Sequence, residues 1–239
     1  MKTIGLIGGL TWLSTLDYYR LLNEKINEEL GGVESGRIIL YSLNFAEIKA
    51  LTENGHWDAI ADIMIKAARK LEQAGADCII VGANTMHKIA DEIQQCINIP
   101  LIHIAEVTAA QIKKQKLSTV ALLGTKYTMQ FDFYKEKLAN LGIVTIIPGE
   151  DEIEMINTAI YSEMSKGNFL PSTKQKILAV IERLVKKGAE GVILGCTEIP
   201  ILIKQEDCTV PVFDTTQIHA SAAVVFALSD PTILARDCI

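Results

Sequence analysis

The feature that most constrains this 239-residue chain is that it contains itself twice. Residues 74–86 read AGADCIIVGANTM and residues 187–199 read KGAEGVILGCTEI. At this offset Gly75 falls on Gly188, Ala76 on Ala189, Asp77 on Glu190, Ile80 on Ile193 and Gly82 on Gly195. An earlier segment, Thr3-Ile4-Gly5-Leu6-Ile7-Gly8, matches Thr119-Val120-Ala121-Leu122-Leu123-Gly124. A later one, Ile99-Pro100-Leu101-Ile102, matches Val210-Pro211-Val212-Phe213. Three matches in one order at nearly constant offset favour two equivalent halves over a string of generic strand–helix units.

Each half follows one plan. Residues 3–7 and 119–123 are short apolar strands that end in glycine and lead to a helical pattern. In the first half Tyr18, Leu21, Leu22, Ile26 and Leu30 have helical spacing, and Gly31-Gly32 ends the helix. A strand is expected over 37–43, an amphipathic helix over 57–74, a strand over 78–81, a helix over 85–95 and a strand over 101–104. The second half repeats this with helices over 151–166 and 172–187 and a strand over 191–194. Continuous apolar runs such as Cys78-Ile79-Ile80-Val81 suit strands buried on both faces of a parallel sheet. The expected class is α/β: two pseudo-symmetric domains, each a short, mainly parallel sheet flanked by helices, with the site in the cleft between them. The first domain is expected over 1–98 plus 210–230 and the second over 99–209. An alanine-rich helix over 217–228 should pack back on the first.

Composition narrows the function class. A net charge of −6 argues against a nucleic-acid binder that relies on phosphate contacts. No run of about 18 apolar residues is present, so no membrane partner is expected. The opening MKTIGLIGG reads as a strand and a turn, not as a signal peptide. The cysteines, Cys78, Cys96, Cys196, Cys208 and Cys238, are scattered, with neither CxxC nor zinc spacing. The expectation is a cytoplasmic protein with no disulfide framework and no metal.

In parallel α/β sheets ligands bind at the carboxyl ends of strands. Four such ends carry glycine and small polar residues: Gly8-Gly9 with Thr11, Ser14 and Thr15; Gly82-Ala83-Asn84-Thr85; Gly124-Thr125 with Tyr127-Thr128; and Gly195-Cys196-Thr197-Glu198. Each precedes a helix start, where backbone N–H groups favour a small anion. The plainer reading is that these hydroxyls and amides are helix caps. Neither GxGxxG nor GxxxxGK[ST] occurs, which weakens a nucleotide reading. Cys196 stands out, because a thiol at a helix N-terminus is expected to have its pKa lowered toward thiolate. Cys78, inside a strand, and Cys96, at a helix end, read as packing residues; Cys208 and Cys238 read as incidental. In the repeat, Cys196 falls on Ala83. Two thiols facing each other could move a proton between the faces of a carbon, and here one of the pair is missing.

These residues resemble the aspartate/glutamate racemase family of cofactor-independent amino-acid racemases. The resemblance runs over about residues 2–228. It is carried by Ile4-Gly5-Leu6-Ile7-Gly8-Gly9 with Trp12, Ser14-Thr15 and Tyr18-Tyr19; by Asn84-Thr85-Met86-His87; by Leu123-Gly124-Thr125 with Tyr127-Thr128-Met129; and by Gly195-Cys196-Thr197-Glu198. It implies two similar domains, a homodimer, no cofactor, and an acidic amino-acid substrate deprotonated at Cα by one cysteine and reprotonated by another. Asn84, Thr85, Thr197 and Glu198 would then hold the substrate's carboxylate and amino groups, with Thr11 and Thr125 at the neighbouring strand ends. Three departures accompany it. Ala83 occupies the first cysteine position, so another group must act there: a water, Thr85, Asn84 through water, or His87 as candidate proton donor. Residues 44–49, NFAEIK, lack the arginine that many aspartate racemases use for the side-chain carboxylate. Ser165 stands where the family has lysine, with Lys166 one place on. Two alternatives remain at this point: a non-catalytic binder of a small dicarboxylate, and a single-cysteine decarboxylase.

Overall fold

The protein's structure, a computed structural model, describes residues 1–229. Cys238 and residue 230 of the expected first domain lie outside the described residues. The chain forms two compact units, Met1–His103 with His219–Ile239, and Ile104–Ile218.

The first unit contains β1 (Ile4–Gly8), α1 (Trp12–Leu30), β2 (Ile38–Ser42), α2 (Phe45–Glu53), α3 (Trp57–Gln73), β3 (Cys78–Val81), a 3-10 turn at Thr85–Ile89 and α4 (Ala90–Gln94). Its three strands are parallel in the order β2-β1-β3. Alternation along the strands divides its apolar residues between two layers. Ile7, Ile79 and Val81 pack with Ile60, Met64, Ala67, Ala68 and Leu71 of α3. Ile4, Leu6, Cys78 and Ile80 pack on the other face with Tyr18, Leu22 and Ile26 of α1. That face is completed by Ala220, Ala223, Val224 and Ala227, from the helix Thr215–Leu228.

The second unit contains α5 (Ile104–Lys114), β4 (Thr119–Gly124), α6 (Lys126–Gln130), α7 (Asp132–Ala139), β5 (Val144–Ile146), α8 (Glu150–Ser162), α9 (Pro171–Lys186), β6 (Gly191–Gly195), α10 (Ile199–Leu202) and β7 (Val212–Asp214). Helix α11 (Thr215–Leu228) starts in this unit and ends in the first. The sheet is parallel in the order β5-β4-β6-β7. Ala121, Leu123, Val192 and Leu194 face α8 and α9, whereas Val120, Leu122 and Ile193 face α5 and α7.

The repeat holds down to strand register. Ile4 pairs with Cys78, and their counterparts Val120 and Gly191 also pair. Ile79 bridges Leu101, and the counterparts Val192 and Val212 pair in the same way. The matched acids have a structural role. Asp77 accepts the Thr3 N–H at 2.6 Å, and Glu190 accepts those of Ser118 and Thr119 at 2.7 and 2.9 Å. Each saturates the N–H that its central strand leaves unpaired at the start.

Several expectations need correction. Residues 101–104 form one bridge at Leu101, not a strand, because Ile104 opens α5 and buries its side chain in the second unit's core. The helix expected over 85–95 begins as a 3-10 turn. The one expected over 151–166 breaks at Glu163, and Gly167 follows in the left-handed region. The unit boundaries fall at 103/104 and 218/219, not at 98/99 and 209/210. Leu101 pairs with the first sheet, whereas β7 pairs with β6 and buries Phe213 in the second core.

Candidate active site

The expected site residues gather at strand ends, in two sets. In the first unit the β1–α1 turn is built by its own hydroxyls. Gly9 has φ +73, and a Cβ there would collide with the Leu43 carbonyl oxygen. Its N–H donates to Thr15 Oγ1 at 2.8 Å. Thr11 is the N-cap of α1, its hydroxyl accepting from the Ser14 N–H at 3.2 Å. Ser14 Oγ donates across to the Gly82 carbonyl at 3.0 Å, which ties this turn to the end of β3. Thr11 therefore has the capping role that was the plainer sequence reading.

Ala83, Asn84 and Thr85 follow directly. Asn84 and Thr85 are buried, and Asn84 makes no side-chain cap bond, unlike Thr11. The Ala83 side chain packs partly buried against the α3-side core. His87 is only 2% exposed, and its Nδ1 lies 2.9 Å from the Ala83 carbonyl oxygen. A carbonyl can only accept, so Nδ1 carries the hydrogen. Burial, then the neighbouring His103, push the His87 pKa well below the ordinary imidazole value. His87 is thus a neutral ring with its single N–H committed to the backbone, which is poor equipment for the donor role expected of it.

In the second unit Thr125 caps α6, accepting from the Thr128 N–H at 3.3 Å. Gly124 and Gly195 allow a close approach of β4 and β6: a Cβ on Gly124 would lie 2.6 Å from the Gly195 carbonyl oxygen. At the end of β6, Cys196 Sγ donates to Glu198 Oε2 at 2.9 Å, and Thr197 Oγ1 donates to the same oxygen at 2.8 Å. All three residues are buried. The expected lowering of the thiol pKa is overturned. Burial first, and then the Glu198 carboxylate, push it well above the ordinary thiol range. Helix α10 is a single turn, and its N–H groups do not offset that cost. Cys196 is held as a protonated thiol, hydrogen-bonded to the Glu198 carboxylate.

Sequence reasoning missed two groups. One is Asp214-Thr215-Thr216, at the end of β7. Asp214 Oδ1 accepts the N–H groups of Thr216 and Gln217 at 2.9 and 3.2 Å, and burial raises its pKa. The strand-end rule would have found it had β7 been assigned to the second sheet. The other is a buried cluster of Tyr18, His87, His103 and His219 in the first unit, whose members are too far apart in sequence to suggest a group. Among the described residues no three His, Cys, Asp or Glu side chains gather as a metal site. Nor is any helix long and apolar enough to cross a membrane.

Comparison with known proteins bears on both sets. The crystal structure of a putative Asp/Glu racemase from Yersinia pestis is 46% identical, with 95% of this chain and 100% of that one aligned at a TM-score of 0.89. An aspartate racemase homologue from Pyrococcus horikoshii OT3 is 40% identical over 95% of this chain and 99% of that one, with a TM-score of 0.83. The broad specificity amino-acid racemase RacX of Bacillus subtilis is 26% identical over 70% of this chain and 72% of its own length. The sequence profile described as Asp/Glu/hydantoin racemase matches residues 7–223, which include every candidate site residue from Thr11 to Glu198. The chain therefore belongs to the Asp/Glu/hydantoin racemase family.

Proposed function

We propose that this protein is an amino-acid racemase acting on aspartate or glutamate, without a cofactor, through Cys196. The observation that carries the reading is the Cys196–Glu198 contact at the end of β6. A Cα–H bond is a weak acid, so its cleavage needs a strong base and a stabilised carbanion-like transition state. When Glu198 takes the thiol proton, the thiolate can abstract the Cα proton. In the return direction the protonated thiol gives its hydrogen to Cα. Thr197 Oγ1 shares the Glu198 oxygen and orients the carboxylate. Asn84 and Thr85 supply polar groups for the substrate's carboxylate and amino groups. The racemase reading asks the Ala83 segment to serve the opposite face of the same carbon. A methyl group holds no exchangeable proton, so a water held by Asn84 or Thr85 takes the missing thiol's part and turnover is one-sided. A homodimeric state and a cytoplasmic location belong to this reading; sedimentation of the purified protein tests the dimer.

The test is incubation with L- and D-aspartate and L- and D-glutamate in heavy water. Deuterium should enter Cα, faster from one enantiomer than from its mirror image. Cys196→Ser should abolish it. Ala83→Cys should raise racemisation by roughly 10²- to 10⁴-fold, the usual worth of a positioned acid–base group. Absence of exchange in both the natural chain and Ala83→Cys would refute the reading. Tight dicarboxylate binding alongside that absence would favour the second one, a non-catalytic binder, which rests on Ala83 standing opposite Cys196 in the repeat.

A further inference from the structure

We propose that His87 is a positioning residue for the Ala83–Thr85 segment, itself held in place by a buried clasp of His219 and Tyr18. The inference rests on the racemase reading for its kinetic consequences, but its geometry lies wholly in the first unit.

The clasp has a defined hydrogen-bond direction throughout. His219 Nε2 is 2.7 Å from the Ile102 carbonyl oxygen, and that oxygen can only accept, so Nε2 carries the hydrogen. A neutral ring then leaves Nδ1 bare, and it accepts from the Tyr18 hydroxyl at 2.7 Å. This joins α1, the stretch at Ile102 just before α5, and α11 at one fully buried imidazole. The His87 ring meets the His219 ring edge to face at 5.4 Å between centroids and lies 4.8 Å from that of His103. Wedged there, His87 donates through Nδ1 to the Ala83 carbonyl. Because a peptide is planar, fixing that carbonyl fixes the whole plane joining Ala83 to Asn84. That plane is the backbone from which the Ala83 methyl and the Asn84 side chain project.

The placement is costly. With Nδ1 carrying the hydrogen, Nε2 of His87 is a buried acceptor without a hydrogen-bond partner. Such a group costs about 1–3 kcal/mol, a penalty an apolar side chain would avoid. A residue kept at that cost is explained by its one good bond, the one to the site segment. Nε2 is buried among the other rings, so His87 acts on the segment and not on the substrate.

Two substitutions separate positioning from packing. His87→Asn places its amide nitrogen where Nδ1 stood and keeps a donor for the Ala83 carbonyl. His87→Gln moves the amide out to the Nε2 position and loses that donor. Both remove the ring and should lower thermal stability alike. In the heavy-water assay His87→Gln should lower kcat by about 10- to 100-fold, and His87→Asn should stay within about threefold of the natural protein, as expected when a reacting group is misplaced by around an ångström. Amide hydrogen exchange of residues 84–86 should quicken in His87→Gln and stay unchanged in His87→Asn. Equal losses in the two variants, or no loss in either, would overturn the proposal. If the natural chain shows no Cα exchange, the racemase reading fails, and the amide exchange alone decides whether His87 positions the segment.

Discussion

The buried histidines should make the first unit acid-sensitive, and His219 allows the size to be worked out. Burial, then the neighbouring His87, take its pKa from the ordinary 6.5 down to about 3. The rings and groups facing it are His87, the Tyr18 hydroxyl and the Ile102 carbonyl, and among the described residues no carboxylate contacts it to favour the charged form. A lowered pKa in the folded state means that the unfolded chain binds the proton first. Stability is therefore untouched above about pH 7 and falls as pH drops from 6.5 toward 3. Each pKa unit is worth about 1.4 kcal/mol, so His219 alone removes about 2 kcal/mol by pH 5 and about 4 kcal/mol by pH 3. His87, shifted in the same direction, adds to this. Urea unfolding at pH 7.5 and pH 5 tests it. The midpoint should drop by roughly 1 M or more, given ordinary urea dependences of 1–3 kcal/mol per molar. His219→Gln keeps an amide near the Nε2 position for the Ile102 carbonyl but loses the Nδ1 acceptor for the Tyr18 hydroxyl, so it should be less stable at pH 7.5, yet its midpoint should change less between the two pH values. If the natural protein and His219→Gln lose equal stability over that interval, the histidine is not the source and the reasoning fails.

Other outcomes follow from the second unit. Glu198→Gln removes the carboxylate that raises the Cys196 pKa, so alkylation of Cys196 at pH 8, followed by mass spectrometry, should speed up while Cα exchange slows by about 10²-fold or more. Cys78 provides an internal reference, because burial and the nearby Asp77 push its pKa up to about 12 and it should stay unmodified in both proteins. Gly124→Ala sets a methyl against the Gly195 carbonyl and should cost about 1–3 kcal/mol in urea unfolding, with β4 and β6 forced apart beside Cys196.

How far the sequence reads through to the structure depends on the kind of interaction involved. Strands β3 and β6 were legible because a strand covered on both faces must be apolar throughout, as 78–81 and 191–194 are. The repeat was legible because both halves keep the same pairing register, down to the paired acids Asp77 and Glu190. The edge strand β5 has three residues and one exposed valine, too little pattern to stand out. The end of the first half was misread because Ile104 suits a strand and a helix equally, and only its burial against the second core decides. At the site, the positions of Cys196 and Glu198 were legible, but the thiol's protonation was not. A helix start suggested thiolate, whereas burial and a carboxylate two residues on dominate. The histidine cluster depends on contacts between residues up to 201 positions apart, and no local spacing encodes those.

The discontinuous first unit has a consequence for synthesis. As the chain leaves the ribosome, its first 103 residues cannot complete their own core. The face formed by Ile4, Leu6, Cys78 and Ile80 waits for Ala220, Ala223, Val224 and Ala227 of α11. The uninterrupted second unit is made in between and can fold as soon as it emerges. At translation rates of 5–20 residues per second the delay is ~10 s. Through that interval a partly bare apolar sheet face stands ready for a chaperone or for another nascent chain, and α11 is the helix that closes it.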